Sequence, residues 1–170
     1  MIIVIFGYPG TGKTYVGKIF EKYFGFYLYE GDFDMPKSMK IKVAKNYHIF
    51  DCDRDKLFDN IERKIKILKN IHKKLIVTQT FIKEKYRKQI LRANPEAKFI
   101  YIKTDEEIRQ KRLAKRKNVS LSKKYADQMI INFDKPKIDH QIIYNNEEGG
   151  EVLKKQIYHC NITLINQEMV

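Results

Sequence analysis

The chain has 170 residues, of which 43% are hydrophobic and 32% charged, with two cysteines and a net charge of +13. This length predicts a single domain, residues 1–170, with a full hydrophobic core. The N-terminal apolar run is too short for a signal peptide or a membrane span, and the two cysteines lack metal-binding spacing. We therefore expect a cytoplasmic protein with free thiols and no membrane partner, either a monomer or a homodimer.

The large positive charge has two interpretations. It either attracts an anionic partner, such as a nucleotide, a sugar acid or a nucleic acid, or it belongs to a solvated lysine-rich surface. The lysines are spread along the whole chain and form no focused patch. This distribution favours the solvated surface, so a nucleic acid is not the favoured partner, although charge alone leaves it open.

The first predicted element is a buried strand over residues 1–6, followed by a glycine-rich turn and a helix over residues 14–24. The turn matches the phosphate-binding P-loop pattern G-x-x-x-x-G-K-[ST]. Its backbone N–H groups and the positive end of the helix form a concavity for a polyphosphate. We expect Lys13 to reach the β- and γ-phosphates of ATP and Thr14 to bind Mg²⁺. The predicted nucleotide-binding residues of the loop are Gly7, Tyr8, Pro9, Gly10, Thr11, Gly12, Lys13 and Thr14.

Short apolar runs then alternate with amphipathic stretches. Such runs predict parallel strands buried on both faces, and their alternation with helices predicts a three-layer α/β fold of the P-loop type, with a five-stranded parallel central sheet flanked by helices. The other predicted strands are 26–29, 74–78, 98–102 and 141–144, with a short terminal strand at 163–165 as an option. The predicted helices are 53–72, 83–92, 105–117, 122–133 and 147–158. Ligands bind at the carboxyl ends of parallel strands, so the residues that follow each strand are the candidate site.

Two carboxylates follow the second strand, in the region 32–72 that we expect to bind the phosphoryl acceptor. Asp32 is the candidate base that accepts the proton of the acceptor hydroxyl, or a ligand that holds Mg²⁺ through water. Asp34 either contacts the acceptor or caps a helix that begins near Pro36.

An arginine closes the segment Asp51-Cys52-Asp53-Arg54. Arg54 either forms an internal ion pair or presents its guanidinium group to a carboxylate, phosphate or hydroxyl cluster of the substrate. Asp53 is also a candidate N-cap of the long helix. After the third strand, Gln79 stands where many P-loop proteins carry a Walker B aspartate, and it either hydrogen-bonds the acceptor or simply ends the strand.

A basic helix followed by a polar segment predicts a small lid over residues 112–125. Arg112 and Arg116 are four residues apart and share a helix face, which suits a lid that brings arginines onto transferring phosphates. The alternative is a solvated basic face. After the fifth strand, Asn145 begins a loop that either packs on adenine or is simply a turn.

Taken together, these positions resemble the small P-loop kinases, above all the gluconate kinases and then the shikimate kinases. The matching pieces occur in order over nearly the whole chain: the P-loop, Glu30-Gly31-Asp32, Asp51-Cys52-Asp53-Arg54, the helix at 85–92, the strand at 99–103 and the basic run at 112–117. Shikimate is the less favoured acceptor, because the shikimate-kinase Gly-Gly-Gly after strand three is absent.

The resemblance implies transfer of the ATP γ-phosphoryl group, with Mg²⁺, to a hydroxyl of a small acidic or polyhydroxy acceptor, such as a sugar acid or a similar polar metabolite. It implies that Arg54 orients the acceptor and that Asp32 activates its hydroxyl. Charge in the transition state would then be stabilised by Lys13, Arg112 and Arg116. The chain departs from gluconate kinases at Leu57-Phe58, Gln79-Thr80 and Asn118-Val119. These changes bear on the identity of the acceptor more than on the nucleotide site.

Two other functions stay open from the sequence. The first is a kinase whose acceptor is a nucleotide or the 5′-hydroxyl of a polynucleotide. The positive charge of the chain supports this function. The second is a regulatory nucleotide-binding ATPase, which the missing Walker B acid and the lid arginines disfavour.

Overall fold

The central element is a sheet of five parallel strands in the order β2-β3-β1-β4-β5. The computed structural model describes residues 1–115, 123–147 and 149–168. The elements in chain order are β1 (Ile2–Phe6), α1 (Lys13–Phe24), β2 (Tyr27–Glu30), a 3-10 turn (Gly31–Asp34), α2 (Lys37–Ala44), α3 (Asp51–Ile71), β3 (Leu75–Thr78), α4 (Glu84–Ala93), β4 (Lys98–Lys103), α5 (Glu106–Ala114), α6 (Lys123–Ile131), β5 (Gln141–Tyr144) and α7 (Glu151–Glu168).

Two apolar layers cover the sheet. Every residue of β1 is buried, and the alternation of a strand sends neighbouring side chains to opposite faces. Ile3 and Ile5 pack in a cluster with α1 and α7, whereas Val4 and Phe6 pack in a cluster with α3 and α4. The three-layer arrangement follows from this burial on both faces, which explains the nearly unbroken apolar sequence of β1.

The strand register brings the candidate residues to one edge of the sheet. Ile5 pairs with Thr78, and Thr78 pairs with Glu30 on the other side. The P-loop, the 3-10 turn and Gln79 therefore begin next to one another, where the three neighbouring strands β1, β2 and β3 end.

The structure corrects several predicted boundaries. The optional strand at 163–165 is wrong, because these residues continue α7, which carries no glycine or proline to end it. The helix predicted at 53–72 begins two residues earlier, at Asp51. Of the lid predicted at 112–125, residues 116–122 lie outside the described ranges. None of the described helices is long and apolar enough to cross a membrane.

Candidate active site

The P-loop connects β1 to α1 and leaves its backbone N–H groups accessible to an anion. Gly12 is the N-cap of α1 and has a φ of 83°, a left-handed conformation that favours glycine. A Cβ atom at Gly12 would also collide with the amide nitrogen of Asn145. Gly12 has no side chain that could accept hydrogen bonds from the first N–H groups of α1. These N–H groups therefore remain available to phosphate.

Lys13 folds back over the loop. Its ammonium nitrogen donates to the carbonyl oxygens of Gly7 at 3.0 Å and Tyr8 at 2.9 Å. These contacts hold a positive charge over the P-loop concavity. The arrangement suits a side chain that exchanges carbonyl oxygens for phosphate oxygens.

The hydroxyl of Thr14 donates to the carboxylate of Glu30 at 2.8 Å. Glu30 is the last residue of β2 and is not among the site residues predicted from the sequence. The signal that could have found it is its position: β2 pairs with β3, which in turn pairs with β1, so the last residue of β2 lies at the same sheet edge as the P-loop. The pair brings two oxygen ligands of the kind that Mg²⁺ prefers to the start of α1.

Asp32 lies in the 3-10 turn after β2 and is held by Gln79. The amide nitrogen of Gln79 donates to the Asp32 carboxylate at 2.9 Å, and the amide oxygen of Gln79 accepts from the Thr80 N–H at 2.6 Å. Gln79 is only 7% exposed. The structure thus places Gln79 against the candidate base.

Asp32, Gln79 and Arg54 line one cavity with a volume of about 30 Å³. Its other lining residues are largely apolar, and Tyr125 of α6 closes one side. Burial raises the pKa of the Tyr125 phenol to about 12. The cavity has room for water but not for a sugar acid, so binding of an acceptor requires lining side chains to move.

Arg54 is buried at the start of α3, with an Asp51 carboxylate oxygen 3.3 Å from its guanidinium group. The predicted N-cap role of Asp53 is wrong, because α3 begins at Asp51 and Phe50 is its N-cap. Asp53 instead accepts the Phe50 N–H at 3.0 Å and forms an ion pair with Lys42 at 2.8 Å. The exposed Asp51 leaves Arg54 with only a weak competitor for an anionic group in the cavity.

Asp34 lies apart from this arrangement. Its carboxylate accepts the Tyr29 hydroxyl at 2.6 Å, and it is not among the described residues that line the cavity. Burial and then this hydrogen bond raise the pKa of Tyr29. The predicted capping role of Asp34 is wrong, since the N-cap of α2 is Pro36 and no side chain caps that helix.

Two arginines of α5 lie close to the P-loop. Arg109 is buried and donates to the carbonyl oxygen of Pro9 at 3.2 Å, and Glu106 pairs with the same guanidinium group. Arg112 donates to the carbonyl oxygen of Asn145 at 2.9 Å. Arg109 therefore supports the loop, a role that its helical spacing did not reveal, while half-buried Arg112 lies beside the phosphate concavity. Arg116 lies outside the described residues.

Asn145 links the end of β5 to the P-loop. Its amide nitrogen donates to the carbonyl oxygen of Thr11 at 2.8 Å. Its amide oxygen is buried and has no hydrogen-bond partner among the described residues. A buried acceptor of this kind is costly unless a donor satisfies it, which suits a donor group on a bound nucleotide.

A family model described as an AAA domain matches residues 3–132, which is most of the chain. The chain belongs to this AAA-domain family. A probable gluconokinase from Schizosaccharomyces pombe is similar to this AAA-domain protein, with 26% identity over 175 residues that cover 98% of this chain and 90% of the relative.

Two solved structures confirm the fold of this AAA-domain protein. A gluconokinase from Sinorhizobium meliloti 1021 matches with a TM-score of 0.81 and 17% identity, and the match covers 98% of this chain and 95% of that one. A shikimate kinase from Acinetobacter baumannii, in complex with shikimate, matches with a TM-score of 0.62 and 16% identity over 95% of this chain and 93% of that one. The predicted five-stranded parallel P-loop fold and the resemblance to these two kinase groups are thus confirmed.

Proposed function

We propose that this protein is an ATP-dependent kinase that transfers the γ-phosphoryl group to a hydroxyl of a small sugar acid, with gluconate as the first candidate. The observation that carries the proposal is the cavity in which a carboxylate, Asp32, faces a buried cation, Arg54. The similarity to probable gluconokinase supports a sugar acid as the acceptor class.

The nucleotide would bind along the P-loop, residues 7–14. Lys13 would leave the carbonyl oxygens of Gly7 and Tyr8 and donate to the β- and γ-phosphates. Arg112 would approach the same phosphates from α5, and a contact of Arg116, which lies outside the described residues, stays a prediction from the sequence. The buried amide oxygen of Asn145 would accept a donor of the nucleotide.

Thr14 and Glu30 fit a Mg²⁺ site of the P-loop type. The described residues include no group of three or more His, Cys, Asp or Glu that could hold a metal ion by themselves. Mg²⁺ usually keeps several waters and binds one or two protein oxygens together with substrate phosphates, which this pair can supply. Bound there, Mg²⁺ would neutralise charge on the phosphates. Thr14 would bind it directly and Glu30 through water, which transfers to Glu30 the role that we first considered for Asp32.

In the transfer step, Arg54 would bind the carboxylate of the acceptor and point its reacting hydroxyl at Asp32. Asp32 would accept the hydroxyl proton as the acceptor oxygen bonds to the γ-phosphorus. The bond from the γ-phosphorus to the β,γ-bridging oxygen would break, and ADP would leave. Lys13 and Arg112 would stabilise the charge that develops on the transferring group.

The test is ADP release with ATP and Mg²⁺ across an acceptor panel: gluconate, related sugar acids, shikimate, nucleoside monophosphates and an oligonucleotide with a 5′-hydroxyl. Release that depends on gluconate or another sugar acid supports the proposal. Dependence on a nucleotide or oligonucleotide contradicts the acceptor class. Release that ignores every acceptor instead supports a regulatory ATPase.

Lys13→Ala is expected to lower acceptor-dependent ADP release by about a thousandfold, because a preorganised positive charge at the transferring phosphates is lost. Thermal unfolding of the variant should stay close to that of the wild type, since Lys13 is not part of the core. The control is Lys18→Ala, an exposed lysine on the same helix. Turnover of Lys13→Ala at a rate near that of the wild type would rule out the P-loop as the phosphate site.

A further inference from the structure

Gln79 makes two hydrogen bonds that fix the direction of its amide. Its oxygen accepts the Thr80 backbone N–H at 2.6 Å, and a backbone N–H can only donate. The other end of the same amide must therefore present its nitrogen, which donates to Asp32 Oδ1 at 2.9 Å. The orientation of Gln79 follows from the backbone and not from a choice between two equivalent amide rotamers.

Gln79 is buried at the end of β3, whereas Asp32 is exposed. Its backbone N–H donates to the carbonyl oxygen of Ile5 in β1 at 3.2 Å, and the residue is 7% exposed. Asp32 is exposed and belongs to a short 3-10 turn. A carboxylate on such a turn has little to restrict its side-chain torsions apart from the groups that bind it.

We propose that Gln79 is a positioning residue that holds the Asp32 carboxylate in the orientation needed for proton transfer. The amide engages Oδ1, which directs Oδ2 to the acceptor hydroxyl. This inference rests on the proposed kinase function and replaces direct acceptor binding as the role of Gln79. It concerns a feature of this chain, since Gln79-Thr80 is one of the positions at which the sequence departs from gluconate kinases.

The competing explanation is that Gln79 only completes the end of β3 by satisfying the Thr80 N–H. Two substitutions of similar size separate these roles. Gln79→Glu keeps an acceptor for the Thr80 N–H but places a carboxylate against Asp32. Gln79→Met keeps the shape of the side chain and removes both hydrogen bonds.

We expect kcat to decrease in the order wild type, Gln79→Met, Gln79→Glu. Loss of the restraint in Gln79→Met should lower kcat by about tenfold, because a misplaced base costs rate without weakening substrate binding. Repulsion between two carboxylates in Gln79→Glu should lower kcat by about a hundredfold. The KM for ATP should change less than about twofold in both variants. Activity of Gln79→Glu near that of the wild type, with Gln79→Met impaired, would overturn the proposal in favour of the strand-end role.

Gln89 provides a matched control. Its amide nitrogen also donates to carboxylates, those of Asp59 and Glu62, but on the surface between α3 and α4. Gln89→Met and Gln89→Glu should leave kcat unchanged. Thermal unfolding of all four variants identifies any loss of folding. Such a loss would lower the fraction of active protein but would not change the order of kcat values among the folded variants.

A spectroscopic measurement tests the hydrogen bond without turnover. The side-chain ¹⁵N–¹H₂ resonances of Gln79 can be assigned by their loss in Gln79→Met and should shift in Asp32→Asn. Unchanged Gln79 resonances would overturn the proposal. If these resonances shift but the wild-type protein is inactive with every acceptor, the result counts against the proposed function instead. Failure of the Gln79 proposal and failure of the kinase proposal are therefore distinguishable.

Discussion

Asp53 lies in the first turn of α3, where both of its carboxylate oxygens are 2.8 Å from the ammonium nitrogen of Lys42. One of these oxygens also accepts the Phe50 N–H. Lys42 in the first place, and this N–H as well, hold the pKa of Asp53 below its ordinary value. The contact joins α3 to α2 next to Arg54, one of the residues that line the cavity with Asp32 and Gln79.

Asp53→Asn is expected to lower the free energy of unfolding by about 1 kcal/mol at pH 7, where the charged form of Asp53 stabilises the fold. Because the pKa of Asp53 is lowered in the folded state, this stability is present above the ordinary aspartate pKa of about 3.9. It is lost as the pH falls below that value and Asp53 becomes protonated. Urea unfolding of both proteins from pH 7 to pH 3 measures the difference.

The exposed Asp59 of the same helix provides the control for this series. Asp59→Asn should change the free energy of unfolding by less than about 0.5 kcal/mol at every pH. A deficit in Asp53→Asn that stays constant down to pH 3 would mean that its cause is packing and not charge.

At the scale of elements, Arg87 ties α4 to the segment after β3 and to the segment after α6. It is fully buried and donates to the Glu84 carboxylate at 2.7 Å. It also donates to the carbonyl oxygens of Phe81 at 2.8 Å and Asp134 at 2.7 Å. Phe81 follows β3 with a φ of 45°, an unusual value for a residue other than glycine. Arg87 thereby holds the strained turn after β3 and the segment after α6 together.

Arg87→Met is expected to lower the free energy of unfolding by about 3 kcal/mol or more, because it leaves the Glu84 carboxylate buried without its cation. Adding Glu84→Gln should recover at least about 1 kcal/mol of that loss, since the buried charge is then removed as well. Urea unfolding at neutral pH measures both effects. Arg92→Met, an exposed position on the same helix, is the control.

No recovery in the double variant would show that Arg87 stabilises α4 through its contacts to the two carbonyl oxygens and to the rings of Phe6 and Phe133. Those rings lie 5.3 Å and 5.2 Å from the guanidinium carbon.

At the scale of the whole molecule, the net charge of +13 is not concentrated at the acceptor cavity. Arg54 is the single lysine or arginine among the described residues that line it. Several lysines instead pair with acids on the outer surface, among them Lys69 with Glu96 and Lys154 with Glu151. One cation in a small cavity suits a small acceptor with one acidic group better than a polynucleotide.

We therefore expect kcat/KM for the sugar acid, measured at saturating ATP, to fall less than about tenfold between 50 and 200 mM salt. An enzyme that contacts six or more phosphates of a nucleic acid would lose about a thousandfold over the same range. Repeating the titration with sodium acetate in place of chloride separates ionic strength from competition by a specific anion. A loss of a thousandfold would contradict binding of the sugar acid through a single cation.

The predictions that held were those that depend on local pattern. The P-loop was recognisable because its glycines, lysine and threonine stand at fixed spacing within one short segment, residues 7–14. The five strands were recognisable because each is a short apolar run between helices. The prediction at 163–165 failed because a short apolar run near a chain end fits a strand or the last turns of a helix equally well. The cap predictions for Asp34 and Asp53 failed because tertiary partners, Tyr29 and Lys42, bind these carboxylates.

The sequence by itself determined the fold class and the phosphate-binding loop, since periodicity and the P-loop pattern are properties of neighbouring residues. The tertiary structure decided which distant side chains meet. Thr14 contacts Glu30, Gln79 contacts Asp32 and Asn145 contacts Thr11, across separations of 16, 47 and 134 residues. These contacts depend on strand order and register, which arise from packing of the whole core. No local pattern encodes them, and for that reason the contacts of Glu30, Gln79 and Arg109 emerged only from the folded chain.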